Sequence, residues 1–194
     1  MKKPGLDSRG NFIHDEARVD DSVEMGHGNY FGRNVTVGPG CKFGHGNLLL
    51  EDVIVGPDCT FRSRAELRSG TLIEHGCYID SGVKSSGDCH IREHVTLRYD
   101  SIIARGCVIG ERAYVSPRIM FENLSHEMEP VGGAHVGSGC WIGTQSVIGA
   151  GISIVSGTVI GSCSLVKKSI EQPGVYFGIP AKFARELHRV EEGD

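Results

Sequence analysis

Nine histidines and seven cysteines are the side chains of this 194-residue chain best suited to chemistry near neutral pH. An imidazole can accept a proton or bind a metal ion, and a thiolate can bind a metal or attack an electrophile. His27 and His45 occupy the same position in two copies of a Gly-His-Gly-Asn segment, and His90 and His94 form a second close pair. Each pair permits two interpretations, a shared metal ion or ordinary turn residues, and the elements that hold them decide between these.

A six-residue repeat runs through most of the chain. In steps of six from Ile13 to Val115, 17 of 18 positions are apolar. With an apolar fraction of 39%, about seven of these 18 positions would be apolar by chance. The spacing resumes at Val136 and continues, six positions out of six, to Val166. Because the separation of Val115 and Val136 is not a multiple of six, we predict an ejected loop over residues 116–135.

Composition excludes several classes of function. The chain has 20 Lys and Arg against 24 Asp and Glu and no basic block, which disfavours a nucleic-acid-binding protein. Its apolar runs are much shorter than a bilayer requires, and residues 1–7 lack the apolar stretch of a signal peptide. We therefore expect a cytoplasmic protein with no membrane span.

Glycine follows the apolar residue in many hexads, and this pattern resembles the hexapeptide-repeat family. The resemblance covers residues 13–168 and implies an all-β fold, a left-handed parallel β-helix in which three hexads form one triangular coil. The implied domain spans residues 1–181, with about eight coils. Residues 182–194 are predicted to form a short C-terminal helix and tail, because they lack Gly and Pro before the last few residues and place apolar side chains at helical spacing.

In such a coil the cysteines have a structural explanation. Six of them share the position two residues before an apolar one, where small residues also occur: Cys41, Cys59, Cys77, Cys89, Cys107 and Cys140. We predict stacked core residues there, in preference to zinc ligands or a nucleophile. For His27 and His45 we favour a stacked pair of solvated turn residues over a shared metal.

Five short motifs follow one another in the C-terminal part. They are a histidine in the predicted loop, Trp141-Ile142-Gly143, Ile160-Gly161, Val166-Lys167-Lys168 and Gly178-Ile179-Pro180-Ala181-Lys182. This ordered set is similar to the carboxy-terminal half of the maltose, galactoside and xenobiotic acetyltransferases. The resemblance implies a homotrimeric enzyme that transfers an acetyl group from acetyl-CoA to a hydroxyl or amine of a small acceptor, with a sugar or saccharide favoured.

The same resemblance assigns roles to residues of this chain. His126 is implied as the general base that deprotonates the acceptor, a task that suits a neutral imidazole. The implied coenzyme site consists of Trp141, Gly143, Thr144, Gly161, Ser162, Lys168, Lys182 and Arg185. Backbone amides near Gly143 and Thr144 are candidates for oxyanion stabilisation, and the small Gly161 and Ser162 would let the pantetheine arm lie close to the backbone. The three basic side chains suit the coenzyme phosphates. Acceptor-binding candidates are Asn123, Arg98, Tyr99 and Asp100, and no metal is expected.

Two other functions remain alternatives. The γ-class carbonic anhydrases share the implied fold and bind zinc through three histidines, to which His90 and His94 bear some resemblance. Their spacing is one residue shorter than in that family, and the third histidine has no clear match. A catalytically silent scaffold is the second alternative, which His126 and the basic positions disfavour.

Overall fold

Three β-sheets wind around one continuous core in the computed structural model of the protein, which describes residues 1–187. The chain passes from sheet A to sheet B to sheet C and back again, so that three successive strands complete one coil. Tyr30 therefore pairs with Leu48, and Leu48 pairs with Glu66, in parallel register. No helix within residues 1–187 is long and apolar enough to cross a membrane.

Most strands contain only two residues. Sheet A contains β1 (Gly5–Leu6), β2 (Phe12–Ile13), β5 (Tyr30–Phe31), β8 (Leu48–Leu49), β11 (Glu66–Leu67), β14 (Lys84–Ser85), β17 (Ile102–Ile103), β20 (Met120–Phe121), β23 (Val147–Ile148) and β26 (Leu165–Val166). Sheet B contains β3 (Arg18–Val19), β6 (Thr36–Val37), β9 (Ile54–Val55), β12 (Leu72–Ile73), β15 (His90–Ile91), β18 (Val108–Ile109), β21 (His135–Val136) and β24 (Ser153–Ile154). Sheet C contains β4 (Glu24–Met25), β7 (Lys42–Phe43), β10 (Thr60–Phe61), β13 (Tyr78–Ile79), β16 (Thr96–Leu97), β19 (Tyr114–Val115), β22 (Trp141–Ile142), β25 (Val159–Ile160), β27 (Val175–Gly178) and β28 (Ala181–Arg185).

The hexad residues form the core, as the repeat predicts. In every strand from β2 to β26 the second residue is buried and the first lies on the outer face of its sheet, because successive side chains of a strand point to opposite faces. Ser85 is the one polar residue among the 18 inward positions from Ile13 to Val115. It is buried, and its hydroxyl lies 2.7 Å from the hydroxyl of Thr71, so its polar atom has a partner.

The loop is shorter than predicted, and the solenoid is longer. Residues 116–121 stay in the coil, since Met120 and Phe121 form β20 and Phe121 is buried. The prediction of a loop over 116–135 was therefore wrong at its start, and the prism has about nine turns where eight were expected. A regular coil of three hexads would pair Ile109 with position 127, but Ile109 pairs with Val136. The loop thus adds nine residues between sheets A and B.

The predicted C-terminal helix is wrong over residues 182–185, which form strand β28. That strand turns back antiparallel on β27, and β27 extends sheet C beyond β25. The edge of sheet C offers unpaired backbone groups to the next segment, and this pairing outweighs a local helical pattern. Phe183 packs edge-on against Tyr176, with ring centroids 5.5 Å apart. Residues 188–194 of the predicted helix and tail lie outside the described residues.

The prediction for the cysteines is confirmed. All six are buried, and the thiols of Cys41 and Cys77 lie within hydrogen-bonding distance of backbone carbonyls of the following coil. Burial raises the pKa of the Cys89 thiol to about 11 and that of Cys107 to about 12, so both remain protonated at neutral pH. Only the seventh, Cys163, is exposed.

Candidate active site

Each coil turns at three corners, which we name A–B, B–C and C–A after the sheets that they join. The predicted site residues occupy two of these corners and the outer face of sheet C. The loop and Lys168 lie on the A–B corner, because they follow β20 and β26 of sheet A. The predicted coenzyme residues Gly143 and Gly161 lie on the C–A corner, because they follow β22 and β25 of sheet C.

A row of outward side chains crosses the C-terminal part of sheet C. Trp141 pairs with Val159, Val159 with Val175, and Val175 with Arg185. The Trp141 residue is 38% exposed, so its ring is available to a ligand. Three strand spacings of about 4.8 Å separate the ends of the row, which gives about 14 Å between Trp141 and Arg185.

Lys182 and Arg185 lie on the same face of sheet C although they are three residues apart. They lie in a strand, where residues three apart normally point to opposite faces. The register of β27 and β28 shifts between Tyr176 and Val175, so that Lys182 pairs with Phe177 and Arg185 pairs with Val175. Since Phe177 and Val175 are two apart on β27, both cations lie on the outward face.

The C–A corner stacks Gly143 and Thr144 on the coil of Gly161 and Ser162. The Gly143 amide donates to the Ile160 carbonyl at 2.8 Å and is therefore not free to stabilise an oxyanion. The Thr144 amide has no acceptor within residues 1–187, and it remains the candidate donor.

Coil packing explains both glycines of this corner. A Cβ atom on Gly143 would lie 2.5 Å from the Ser162 nitrogen, and one on Gly161 would lie 2.7 Å from the Phe177 Cβ. Both distances are far below ordinary contact. The space that these glycines provide is thus filled by the next coil, and the expectation that Gly161 makes room for the pantetheine arm has no support here.

Arg98, Tyr99 and Asp100 lie on the same C–A corner, closer to the N-terminus. The Arg98 guanidinium donates from Nε to Asp80 at 3.0 Å and from one terminal nitrogen to the Tyr114 hydroxyl at 3.0 Å. These two hydrogen bonds raise the pKa of Arg98, with the bond to Asp80 the larger cause. Sequence reasoning missed Asp80 and Tyr114. The signal was present, since Asp80 precedes Arg98 by three hexads, which is one coil.

The loop holds His126 away from the prism. The His126 side chain is 91% exposed, and its Nε2 lies 3.7 Å from a Glu127 carboxylate oxygen. Backbone bonds close the base of the loop, where the Asn123 carbonyl accepts from the amides of Val131 and Gly132 at 2.9 and 3.2 Å. The loop is therefore a short hairpin that presents one imidazole to solvent.

One chain does not bring all the predicted residues together. His126, Asn123 and Lys168 belong to the A–B corner, whereas the remaining predicted residues belong to the C–A corner and sheet C. The whole width of sheet A separates the two groups. The expectation that Lys168 meets the same phosphates as Lys182 and Arg185 does not hold within one chain.

His27, His45 and His90 are held by protein contacts. His27 and His45 stack as predicted, with ring centroids 5.3 Å apart, and the His45 Nδ1 accepts the His27 amide at 3.1 Å. His90 Nε2 lies 2.5 Å from a Glu74 carboxylate oxygen. Among residues 1–187 no group of three His, Cys, Asp or Glu side chains is arranged to hold a metal ion.

Comparison with known proteins places the chain beside the hexapeptide-repeat acyltransferases. No family model matches the sequence. A chloramphenicol acetyltransferase of Agrobacterium fabrum is 38% identical over 66 residues, which are 34% of this chain and 32% of that protein. A galactoside O-acetyltransferase of Escherichia coli is 29% identical over 89 residues, 41% of this chain and 44% of that protein. The chain therefore matches between about a third and less than half of the length of these relatives.

A solved structure supports the fold. The UDP-N-acetylglucosamine acyltransferase LpxA of Bacteroides fragilis superposes with a TM-score of 0.52 at 17% identity, covering 92% of this chain and 74% of that one. The predicted left-handed parallel β-helix is confirmed. The predicted resemblance to the hexapeptide-repeat acetyltransferases is confirmed as well.

Proposed function

We propose that the protein is a cytoplasmic acetyltransferase that moves an acetyl group from acetyl-CoA to a hydroxyl or amine of a small acceptor, a sugar or saccharide. The observation that carries this proposal is the row from Trp141 to Arg185. It places an exposed indole and two cations on one face of sheet C, with about 14 Å between Trp141 and Arg185. The similarity to acetyltransferases supports the reaction class. The free thiols suit a reducing compartment.

The chemistry of this row fits coenzyme A. Lys182 and Arg185 are exposed on the outward face of sheet C, where they would bind phosphate oxygens with charge-assisted hydrogen bonds. Trp141 would contact the pantetheine arm or the acceptor. The bound coenzyme supplies a thioester whose carbonyl carbon accepts the nucleophile.

His126 is the proposed general base. A neutral imidazole would take the proton from the acceptor hydroxyl or amine as that group attacks the thioester carbonyl. Glu127, whose carboxylate lies 3.7 Å from His126 Nε2, would stabilise the resulting imidazolium. The Thr144 amide would donate to the oxyanion of the tetrahedral intermediate, since fixed donors there lower the barrier. Collapse of this intermediate would break the carbon–sulfur bond, and the departing coenzyme A thiolate would take the proton from the His126 imidazolium, which leaves the acetylated acceptor and free coenzyme A.

Two copies of the chain would complete this site. His126 and Lys168 leave the prism at the A–B corner, so they can meet the C–A corner and sheet C only from a neighbouring molecule. Sheet A lies between these corners, and its outer face carries Ile102, Met120, Val147 and Leu165, of which Met120 is 40% exposed. A cyclic trimer would bury such apolar surface and repeat the same composite site three times.

An acetylation screen tests the proposed function. Purified protein is incubated with radiolabelled acetyl-CoA and a panel of sugars and amines, and labelled products are identified by mass spectrometry. We expect His126→Ala to bind coenzyme A normally and to lower turnover by about a hundredfold to ten-thousandfold. His135→Ala, at an exposed histidine on sheet B, is the matched control. Near-normal turnover in His126→Ala would remove this residue from the mechanism, and no labelled product with any acceptor would contradict the function.

A further inference from the structure

The N-terminal side of the candidate site has an excess of arginine at one corner. Across four consecutive coils the C–A corner contains Arg62, Arg64, Arg98 and Arg118, against the carboxylates of Asp80 and Asp100. Three coil spacings of about 4.8 Å make this arginine edge about 14 Å long.

Three of these arginines have no carboxylate partner. Arg62, Arg64 and Arg118 are exposed, and no carboxylate within residues 1–187 lies within 4.0 Å of their guanidinium groups. By contrast, arginines at the other two corners are paired, such as Arg105 with Asp88 and Arg112 with Glu111. Among the corner arginines of residues 1–187, those without a carboxylate partner therefore all lie at the C–A corner, on one side of the candidate site.

Arg98 differs from its neighbours because its position is fixed. Asp80, whose side chain is only 13% exposed, binds its Nε, and the Tyr114 hydroxyl binds a terminal nitrogen. Of the five N–H donors of a guanidinium, three remain without an acceptor in residues 1–187. Tyr114 accepts from Arg98, so its own hydroxyl proton is available to a ligand.

This fixed group adjoins the proposed acetyl-transfer site. Tyr114 is the register partner of Trp141 on the next strand of sheet C, about 4.8 Å away along the sheet. An aromatic surface beside fixed hydrogen-bond donors is well suited to a sugar ring, and a guanidinium is well suited to carboxylate or phosphate. A ligand that contacts Trp141 can therefore place an anionic group on Arg98.

We propose that the arginine edge makes the acceptor site specific for an anionic sugar, one that carries a carboxylate or a phosphate, with Arg98 as its anchoring residue. This inference rests on the proposed acetyltransferase function for its biological meaning, but it concerns binding and can be tested without turnover. Arg118 on the next coil and Arg64 two coils before Arg98 strengthen the attraction. Asp80 is a positioning residue, which holds the Arg98 guanidinium toward Tyr114.

Three sugars that share the same pyranose ring and differ in charge test the proposal. Glucose, glucuronate and glucose 6-phosphate are titrated calorimetrically into the full-length protein at low and high salt. We expect one or both anions to bind at least about tenfold more tightly than glucose, since charge-assisted hydrogen bonds are about twice as strong as neutral ones. The two anion arms show whether carboxylate or phosphate is preferred, and the preference should shrink as salt rises.

Variants of the arginine edge test whether it causes the preference for anionic sugars. Arg98→Gln should weaken binding of the anionic sugar by about tenfold to hundredfold and should weaken binding of glucose much less. Arg118→Gln should lower the affinity for the anionic sugar by about twofold to fivefold, because exposed ion pairs contribute little. It keeps the fold, because Gln145 occupies the same corner position of the next coil at nearly the same φ, 59° against 58°. The control is Arg18→Gln, an exposed arginine on sheet B that has no carboxylate within 4.0 Å in residues 1–187, and it should change neither affinity.

Several outcomes would overturn the inference. These are equal binding of the three sugars, no binding of any, or anion binding that Arg98→Gln and Arg118→Gln both leave intact. A loss of coenzyme A affinity in these variants would assign the edge to the coenzyme and contradict the proposal too. If acetyl transfer is absent while anion binding depends on Arg98, the proposed function fails and the anion site stands. If transfer occurs with no preference for anionic acceptors, only the inference fails.

Discussion

Replacing Lys182 and Arg185 together should weaken the binding of coenzyme A much more than the binding of dephospho-coenzyme A. Both cations face outward from sheet C because the strand pairing shifts between Tyr176 and Val175, so they can approach the same 3′-phosphate. Each exposed ion pair contributes about 0.2–1 kcal/mol. Two such pairs give about 0.4–2 kcal/mol, which corresponds to about twofold to thirtyfold in affinity.

The assay is calorimetric titration of both coenzymes into the wild type and into Lys182→Ala/Arg185→Ala. We expect the double variant to lose affinity for coenzyme A by that factor and to bind dephospho-coenzyme A almost normally. The difference should fall with rising salt, because exposed charges are screened over about 8–10 Å. Arg18→Ala is the control for the loss of a surface charge. Equal losses for the two coenzymes would mean that these residues stabilise the C-terminal hairpin and do not contact the 3′-phosphate.

Three further predictions concern stability and thiol chemistry. Asn29→Ala removes a buried amide that forms hydrogen bonds with Asn11, Gly44 and Asn47, so denaturant titration should show that the free energy of unfolding falls by about 2–5 kcal/mol; a fall below about 1 kcal/mol would mean that these hydrogen bonds do not stabilise the fold. Gly161→Ala should lower the melting temperature, since its Cβ would lie 2.7 Å from the Phe177 Cβ, and an unchanged melting curve would refute this. In native protein Cys163 alone should react with a thiol reagent at pH 8, whereas all seven cysteines should react after denaturation; rapid native labelling of a second thiol would contradict the buried cores.

The fold could be predicted because the six-residue period is a global constraint. Each apolar hexad residue fills the same inward position, so the repeat from Ile13 to Val166 predicts the strands, the core and the stacked cysteines together. The true start of the loop was also readable, since Phe121 lies six residues after Val115 and continues the repeat.

The C-terminal hairpin could not be read in the same way. Phe183 and Leu187 fall at helical spacing, and nothing nearby in the sequence shows that the edge of β25 is free to pair. Local propensity is a weak guide where a sheet edge offers backbone partners.

The candidate site was predicted in its residue types and not in its arrangement. The motif order indicated His126, Trp141 and the cations, but a list of motifs does not say which corner each residue occupies. Counting in whole coils of three hexads assigns Lys168 to the A–B corner and pairs Arg98 with Asp80. Those relationships depend on stacking between coils, which short sequence motifs do not encode.

Mixing two impaired variants tests the composite acetyltransferase site most directly. One variant lacks the base, His126→Ala, and the other lacks the coenzyme side, Trp141→Ala/Lys182→Ala/Arg185→Ala. Acetyl transfer from labelled acetyl-CoA is measured for each variant alone and for trimers assembled from equal amounts of both.

A site that takes His126 from one chain and Trp141 from its neighbour is intact in about one case in four, because each chain contributes its wild-type half with even odds. The composite site therefore predicts that, at acetyl-CoA concentrations well below the wild-type Kd, mixed trimers transfer at least about a quarter as much acetyl as the wild type and clearly more than the mean of the two variants alone. Mixed trimers that transfer no more than this mean, or a wild-type protein that transfers no acetyl group, would contradict the composite acetyltransferase site.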